Sequence, residues 1–143
     1  MSQPISASDL QIDFSADKEK ALFKWLIASF LMGKRIQAPI ACEAYRVIVE
    51  QNGRDTPRKL VHCTHRQLVG LLGEAHYVRY DESTADRLLT LCRKLNEEYG
   101  GRVLGIQEQS EGRADFEKRL LAFEGVGPKT VEIFMREASG VLY

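Results

Sequence analysis

The pattern of hydrophobic and polar positions predicts a succession of helices and no strand. Apolar residues recur three and four positions apart in several segments, whereas alternation with a period of two persists nowhere along the chain. The segment 21–32 is apolar on nearly every side, which is typical of a helix surrounded by other helices. We therefore predict an all-α fold in which this segment is the core helix and Trp25 packs inside the bundle.

Capping residues and glycines predict where the helices begin and end. The expected start signals are Ser15, Pro39, the pair Thr64 and Gln67, and the pair Ser83 and Asp86. Gly100 and Gly101 are expected to end the helix that begins near Ser83, with a loop over 102–112 and a further helix over 113–123. Residues 1–15 are largely polar and predict a mobile leader, so that the helical domain spans 16–143.

The segment 113–139 carries the most informative pattern in the chain. Its centre reads Phe123-Glu-Gly-Val-Gly-Pro-Lys-Thr130, which predicts a helix, a tight turn and a second helix. Gly125 and Gly127 would allow positive φ in the turn, and Pro128 suits the first position of the new helix. Such a turn directs backbone N–H groups and a helix N-terminus toward one point, which favours the binding of a phosphate.

These residues resemble the helix-hairpin-helix motif of DNA-binding proteins. Together with the order of helices before the motif, roughly residues 18–138 resemble the DNA glycosylase superfamily (HhH-GPD) typified by endonuclease III. The resemblance implies a single-domain helical bundle similar to the six-helix barrel half of those enzymes, acting on duplex DNA, abasic or damaged, in base-excision repair.

The resemblance also implies roles for individual residues. The hairpin would contact DNA through Gly125, Val126, Gly127, Lys129 and Thr130. Lys34, Arg35 and Gln37 stand near the loop that, in relatives, fills the gap left by a displaced base. Lys129 occupies the position of the lysine that forms a Schiff base with the sugar. Two roles stay open for Lys129, namely a cation on a phosphate or the amine of an abasic-site lyase.

One departure from the family pattern bears on the expected activity. Those enzymes carry a catalytic aspartate beyond the second hairpin helix, whereas Asp115 is the last aspartate in this chain. We therefore expect DNA binding, and the resemblance leaves open whether the protein is an enzyme or whether a partner supplies the missing carboxylate.

Charge keeps an alternative function open. The formal net charge is zero, and a sequence pI near 6.8 is not that of a general nucleic-acid binder. Any DNA affinity must then come from a local site. The alternative is a non-catalytic protein-interaction module, as a homodimer or with a partner subunit. Zero net charge favours that alternative, whereas the intact Gly-Val-Gly-Pro-Lys-Thr sequence favours DNA binding.

Cysteine and histidine usage argues against cofactors. Three cysteines without a Cys-x-x-Cys pair predict reduced thiols in a cytoplasmic protein. The four-cysteine iron–sulfur cluster of many endonuclease III relatives has no counterpart here, so we expect no cluster. His62, Cys63 and His65 are metal-capable, but their spacing matches no standard zinc site, and no metal is predicted. No signal peptide and no membrane span are predicted either.

Overall fold

The computed structural model describes residues 4–143, and within that range it contains helices and no strand. The prediction of an all-α fold is therefore confirmed. The helices are α1 (Lys18–Met32), α2 (Ala38–Tyr45), α3 (Pro57–Val61), α4 (His65–Glu74), α5 (Asp81–Glu98), α6 (Val103–Gln109), α7 (Arg113–Leu121) and α8 (Pro128–Leu142). A π-helical stretch, Arg46–Gln51, continues α2, and a 3₁₀ turn, Ser8–Leu10, precedes α1.

Helix α1 is the centre of the bundle, as its apolar sequence predicts. It packs against α2, α6 and α8, and ten of its residues are buried. Trp25 is completely buried, and its indole Nε1 donates a hydrogen bond to the carbonyl oxygen of Phe134 on α8 at 3.1 Å. The partner for the indole N–H lets this large side chain be buried without an unpaired donor. The pair fixes α1 directly beside α8.

Two of the four predicted helix starts are confirmed and two are wrong. Pro39 lies in the first turn of α2, as predicted. The reciprocal bonds of Thr64 and Gln67 cap α4 as predicted. The prediction for Ser15 is wrong, because Asp17 caps α1 by accepting from the Lys20 N–H, while Ser15 bonds to Asp13. The predicted start of α5 at Ser83 is also wrong.

Helix α5 begins two residues earlier and ends where expected. Tyr80 precedes it in a left-handed conformation with φ of 65°, and the Ser83 hydroxyl donates back to the Tyr80 carbonyl oxygen. The expected stop is confirmed, since Gly100 and Gly101 both have positive φ, 66° and 73°. Glycine takes this conformation without the steric cost that a side chain brings.

Residues 102–112 form α6 in part, which corrects the prediction of a loop. The Glu19 carboxylate, on α1, accepts hydrogen bonds from the N–H groups of Val103 at 2.6 Å and Leu104 at 2.9 Å. A carboxylate at a helix N-terminus satisfies free donors and interacts favourably with the helix dipole. Helix α6 is therefore capped by a residue from a distant part of the chain, which no local pattern reveals.

The described part of the predicted leader packs on the helical domain. Ala7, Leu10 and Ile12 are buried within the hydrophobic core, and the Ala7 N–H donates to the Glu137 carboxylate on α8. The helical domain therefore extends beyond the predicted boundary at residue 16, because three apolar residues within 4–15 pack in its core. Residues 1–3 of the predicted leader lie outside the described residues.

Candidate phosphate-binding hairpin

Residues 122–127 reverse the chain between α7 and α8, as predicted. The Val126 N–H donates to the Phe123 carbonyl oxygen at 3.1 Å, which closes the turn. Phe123 and Val126 are both buried, and the Phe123 ring stacks on Tyr99 with ring centroids 6.0 Å apart. Two apolar side chains thus anchor the hairpin to the core. Val126, one of the predicted contact residues, can present only backbone atoms to a ligand.

The two hairpin glycines have different conformations. Gly125 has φ of 85°, and a Cβ there would lie 2.5 Å from the Cδ atom of Arg87. Gly127 has φ of −108° and ψ of −177°, and a Cβ there would meet nothing within 4 Å. The prediction of a positive φ is therefore wrong for Gly127. One left-handed residue completes the turn, and Gly127 takes the extended conformation of a helix N-cap.

The N-terminus of α8 is free of any capping side chain among the described residues. Gly127 is the N-cap and has no side chain to offer, and the first turn contains no carboxylate. The N–H of Val131 bonds to the Gly127 carbonyl oxygen at 3.1 Å. The N–H groups of Lys129 and Thr130 belong to the first turn, where a helix supplies no acceptor. Pro128 and Lys129 are exposed, so this positive end of a 15-residue helix faces solvent.

The start of α8 lies against the end of α1. A Cβ on Gly33 would lie 2.1 Å from the Thr130 Oγ1 atom, and the Thr130 side chain is buried. The Thr130 hydroxyl therefore points into the protein, so that only the backbone N–H of this residue could bond to a ligand. Gly33 was missed in the sequence, because a close approach of two helices leaves no local signal.

Three basic side chains surround the hairpin. The Lys34 ammonium donates to the Gly125 carbonyl oxygen at 3.1 Å, and the Lys94 ammonium donates to the Ala122 carbonyl oxygen at 3.2 Å. Arg87 Nε lies 3.4 Å from the Glu124 carboxylate. Partial burial, and then the neighbouring Arg87 charge, lower the pKa of Lys34. Each of these three basic side chains therefore contacts an oxygen atom of the hairpin.

Two of these cations could have been found from the sequence. Arg87 and Lys94 are seven positions apart on α5, which places them two helical turns apart on one face. That spacing indicates a basic stripe, although it does not indicate which element the stripe contacts.

The structure brings the predicted residues of the 34–37 loop next to the hairpin. Lys34 makes the direct link, while Arg35 and Gln37 are exposed in the same loop. A groove of about 470 Å³ separates this loop from α8, and Lys129, Glu132 and Arg136 are among the side chains that line it. Ala38, the first residue of α2, also lines the groove, and α2 has no carboxylate in its first turn. Two helix N-termini therefore border one groove.

The Lys129 side chain bears on the two roles left open for it. A lysine that forms a Schiff base must be a neutral amine, which a desolvated pocket favours. Lys129 is exposed at the rim of the groove. The arrangement suits a cation that meets a phosphate from solvent.

The metal-capable histidines and the cysteines singled out in the sequence are not part of the hairpin. Within residues 4–143, no three His, Cys, Asp or Glu side chains come together in a way that could hold a metal ion. The His65 imidazole Nε2 lies 3.2 Å from the Glu82 carbonyl oxygen. Cys42, Cys63 and Cys92 are buried with free thiols, and burial raises the pKa of the Cys92 thiol. No helix in residues 4–143 has the length and apolar character needed to cross a bilayer.

The fold and the hairpin define an all-α domain with an uncapped helix N-terminus at an exposed lysine. No family model matches the chain, and no curated protein matches it.

Proposed function

We propose that the protein binds duplex DNA by holding a backbone phosphate at the hairpin, residues 125–130. The observation that carries this proposal is the uncapped N-terminus of α8 beside the exposed Lys129. A phosphate there would accept hydrogen bonds from the N–H groups of Lys129 and Thr130, gain from the helix dipole, and pair with the lysine ammonium. Contacts of this kind position a protein on DNA without reading the base sequence.

The surroundings of the hairpin support the same proposal. Arg35 and Gln37 are exposed on the loop that Lys34 ties to the hairpin, so they are placed to meet an adjacent part of the same backbone. The start of α2 borders the same groove and adds a second positive helix end. Because the chain has no net charge, its DNA affinity would depend on this local site and would fall steeply with salt.

The resemblance to endonuclease III-like glycosylases makes DNA repair the process we propose for this binding. Within it, the exposure of the Lys129 side chain to solvent supports phosphate pairing over Schiff-base chemistry. Borohydride reduction in the presence of an abasic duplex separates the two roles. We expect no covalent adduct with the wild-type protein, and an adduct that is lost in Lys129→Ala would establish the lyase instead.

A protein-interaction role is the second candidate, and one observation favours it. Leu121 is 45% exposed and lies in a groove of about 470 Å³ between α7 and α8, together with Val131 and Met135. Arg113, Glu117, Glu132 and Arg136 also line this groove, and an exposed apolar side chain rimmed by charged ones is a feature of protein-interaction sites. Sedimentation of the protein alone, compared with Leu121→Glu, tests self-association through this groove.

The experiment that tests DNA binding is the salt dependence of duplex affinity, measured by fluorescence anisotropy. Each phosphate contact contributes about 0.9 to the slope of log affinity against log salt concentration. We expect Lys129→Met to weaken binding and to reduce that slope by about 0.9.

Lys18→Met is the matched control for Lys129→Met. Lys18 is exposed at the opposite end of α1 from the 34–37 loop, so its loss should leave the slope unchanged. A wild-type protein that ignores the duplex at low salt, or equal slopes for the two variants, would overturn the proposal.

A further inference from the structure

We propose that Lys34 and Lys94 are positioning residues, which hold the hairpin carbonyl groups in place and do not themselves contact the phosphate. This inference rests on the proposed function, since it assigns the parts of the same site. It also revises the expectation, from the resemblance, that Lys34 contacts DNA. The two lysines together are called the lysine clamp below.

The hydrogen bonds of the clamp go to carbonyl groups that the hairpin itself leaves without partners. Ala122 is the C-cap of α7, and Gly125 is the left-handed residue of the turn. Carbonyl groups at a helix C-terminus lack intrahelical donors and carry the negative end of the helix dipole. The Lys94 and Lys34 ammonium groups supply a charged donor to these two oxygens, at 3.2 Å and 3.1 Å.

Aromatic rings fix the position of both ammonium groups. Lys34 Nζ lies 4.9 Å from the centroid of the Phe30 ring, and Lys94 Nζ lies 4.7 Å from that of Phe123. A cation over a ring face is attracted by the ring quadrupole. The rings and the carbonyl oxygens together give each ammonium a defined place in the protein, whereas Lys129 and Arg35 are exposed and have no such ring partner among the described residues.

The clamp comes from two separate parts of the fold. Lys34 follows the end of α1, and Lys94 lies on α5. A turn held from two elements cannot shift without breaking one of the two charged bonds. Each clamped oxygen also has its partial negative charge offset by an ammonium, which reduces its repulsion of a phosphate at the neighbouring α8 N-terminus. The clamp therefore holds the hairpin in shape, and Lys129 and the α8 N–H groups make the contacts with the phosphate.

Two readouts separate positioning from direct contact. The first is the salt slope of duplex affinity, which reports lost phosphate contacts. The second is amide hydrogen exchange of Val126, whose N–H closes the turn on Phe123, relative to Leu26 in the centre of α1. The Leu26 reference corrects for any change in global stability.

Lys34→Met keeps an unbranched side chain over Phe30 and removes the ammonium. We expect duplex affinity to fall about tenfold at every salt concentration with an unchanged slope, and Val126 exchange to speed up about tenfold relative to Leu26, as for loss of one charge-assisted bond. Lys94→Met should behave in the same way. Lys129→Met, the matched control, should lower the slope by about 0.9 and leave Val126 exchange unchanged.

A slope for Lys34→Met that falls as it does in Lys129→Met would overturn the positioning role and make Lys34 a phosphate contact. Unchanged Val126 exchange in both clamp variants would overturn it as well. If the wild-type protein fails to bind the duplex, the proposed function fails, while faster Val126 exchange in the clamp variants would still support their hold on the hairpin.

Discussion

The N-termini of α6 and α8 present the same backbone groups in opposite states. At α6, the Glu19 carboxylate accepts hydrogen bonds from the N–H groups of Val103 and Leu104. At α8, the N-cap is Gly127, no described side chain caps the helix, and Lys129 is exposed beside it. Both positive helix ends attract an anion. At α6 the protein supplies that anion itself, and at α8 the position is left open to solvent.

The other helix starts make the contrast sharper. Asp17, Thr56 and Thr64 cap α1, α3 and α4 with their side chains. Helices α5 and α7 lack a capping side chain, yet both have acidic residues in their first turn. Only α2 and α8, among the described helices, have neither, and their starts border the same groove. The concentration of uncapped, acid-free helix starts at one groove is what makes this the candidate anion site.

The largest effect that we expect is from removing the Glu19 carboxylate, which occupies the N-terminus of α6. Glu19→Ala leaves the N–H groups of Val103 and Leu104 without an acceptor, and Val103 is fully buried. We expect the free energy of unfolding, measured in urea, to fall by about 3 kcal/mol. Glu108→Ala is the control, because its carboxylate pairs with Arg102 at an exposed site and should cost under about 1 kcal/mol. Equal losses for the two variants would contradict the capping role of Glu19.

The second effect concerns the backbone conformation of the hairpin that precedes the uncapped N-terminus of α8. Gly125→Ala forces a side chain into a backbone with φ of 85° and against the Cδ of Arg87. We expect the unfolding free energy to fall by about 2 kcal/mol, the usual cost of such strain. Gly127→Ser should instead raise it by a few tenths of a kcal/mol, because serine caps a helix slightly better than glycine and the site has room. The same sign for both variants would mean that the two glycines do not differ as described.

A smaller effect is the pH dependence of stability that we expect from Glu19 at the N-terminus of α6. Burial is the main cause that raises the pKa of the Glu19 carboxyl above its ordinary value, against the lowering effect of the two N–H bonds. A group with a raised pKa binds more protons in the folded state than in the unfolded state, so its contribution to stability is present below the unfolded-state pKa and is lost as pH rises through the folded-state pKa.

Glu19→Gln tests that pH dependence, because glutamine does not titrate. The difference in unfolding free energy, wild type minus Glu19→Gln, should become less favourable to the wild type as pH rises from below the ordinary glutamate value through the folded-state pKa. Urea denaturation over a series of acidic buffers measures this difference. A difference that grows with pH would show a lowered pKa and contradict the assigned cause.

The comparison also explains which parts of the molecule the sequence could predict. The Thr64 capping box, the stop at Gly100 and the burial of α1 depend on residues close together in the chain, and all three were predicted. Helix α6 depends on a carboxylate 84 positions away, and it was predicted to be a loop. Contacts of such sequence separation are set by the folded arrangement and leave no periodic pattern.

In the candidate site, too, some features follow from the local sequence and others depend on contacts between distant parts of the chain. The turn, Pro128 at the helix start and the exposed Lys129 follow from the local motif. The clamp role of Lys34, the contacts of Arg87 and Lys94, and the fit of Gly33 against Thr130 require the packing of α1 and α5 around the hairpin. The local motif thus indicates the candidate phosphate-binding segment, and the packing around it shows what holds the hairpin in place.

The most direct measurement uses the variant Gly127→Asp, which places a carboxylate at the uncapped N-terminus of α8. The extended backbone and the free space at Gly127 accept the side chain, whose carboxylate can take the N–H groups that α8 leaves unpaired. Gly127→Asn is the matched control, since it caps the helix without a negative charge.

Duplex affinity and thermal unfolding are then measured together on the three proteins. We expect Gly127→Asp to raise the unfolding free energy by about 0.5 kcal/mol and to lower duplex affinity at least about tenfold, because the carboxylate occupies the phosphate position and repels the DNA backbone. Gly127→Asn should retain clearly more affinity than Gly127→Asp. A Gly127→Asp protein that binds the duplex as tightly as the wild type would contradict the assignment of the α8 N-terminus as the phosphate site.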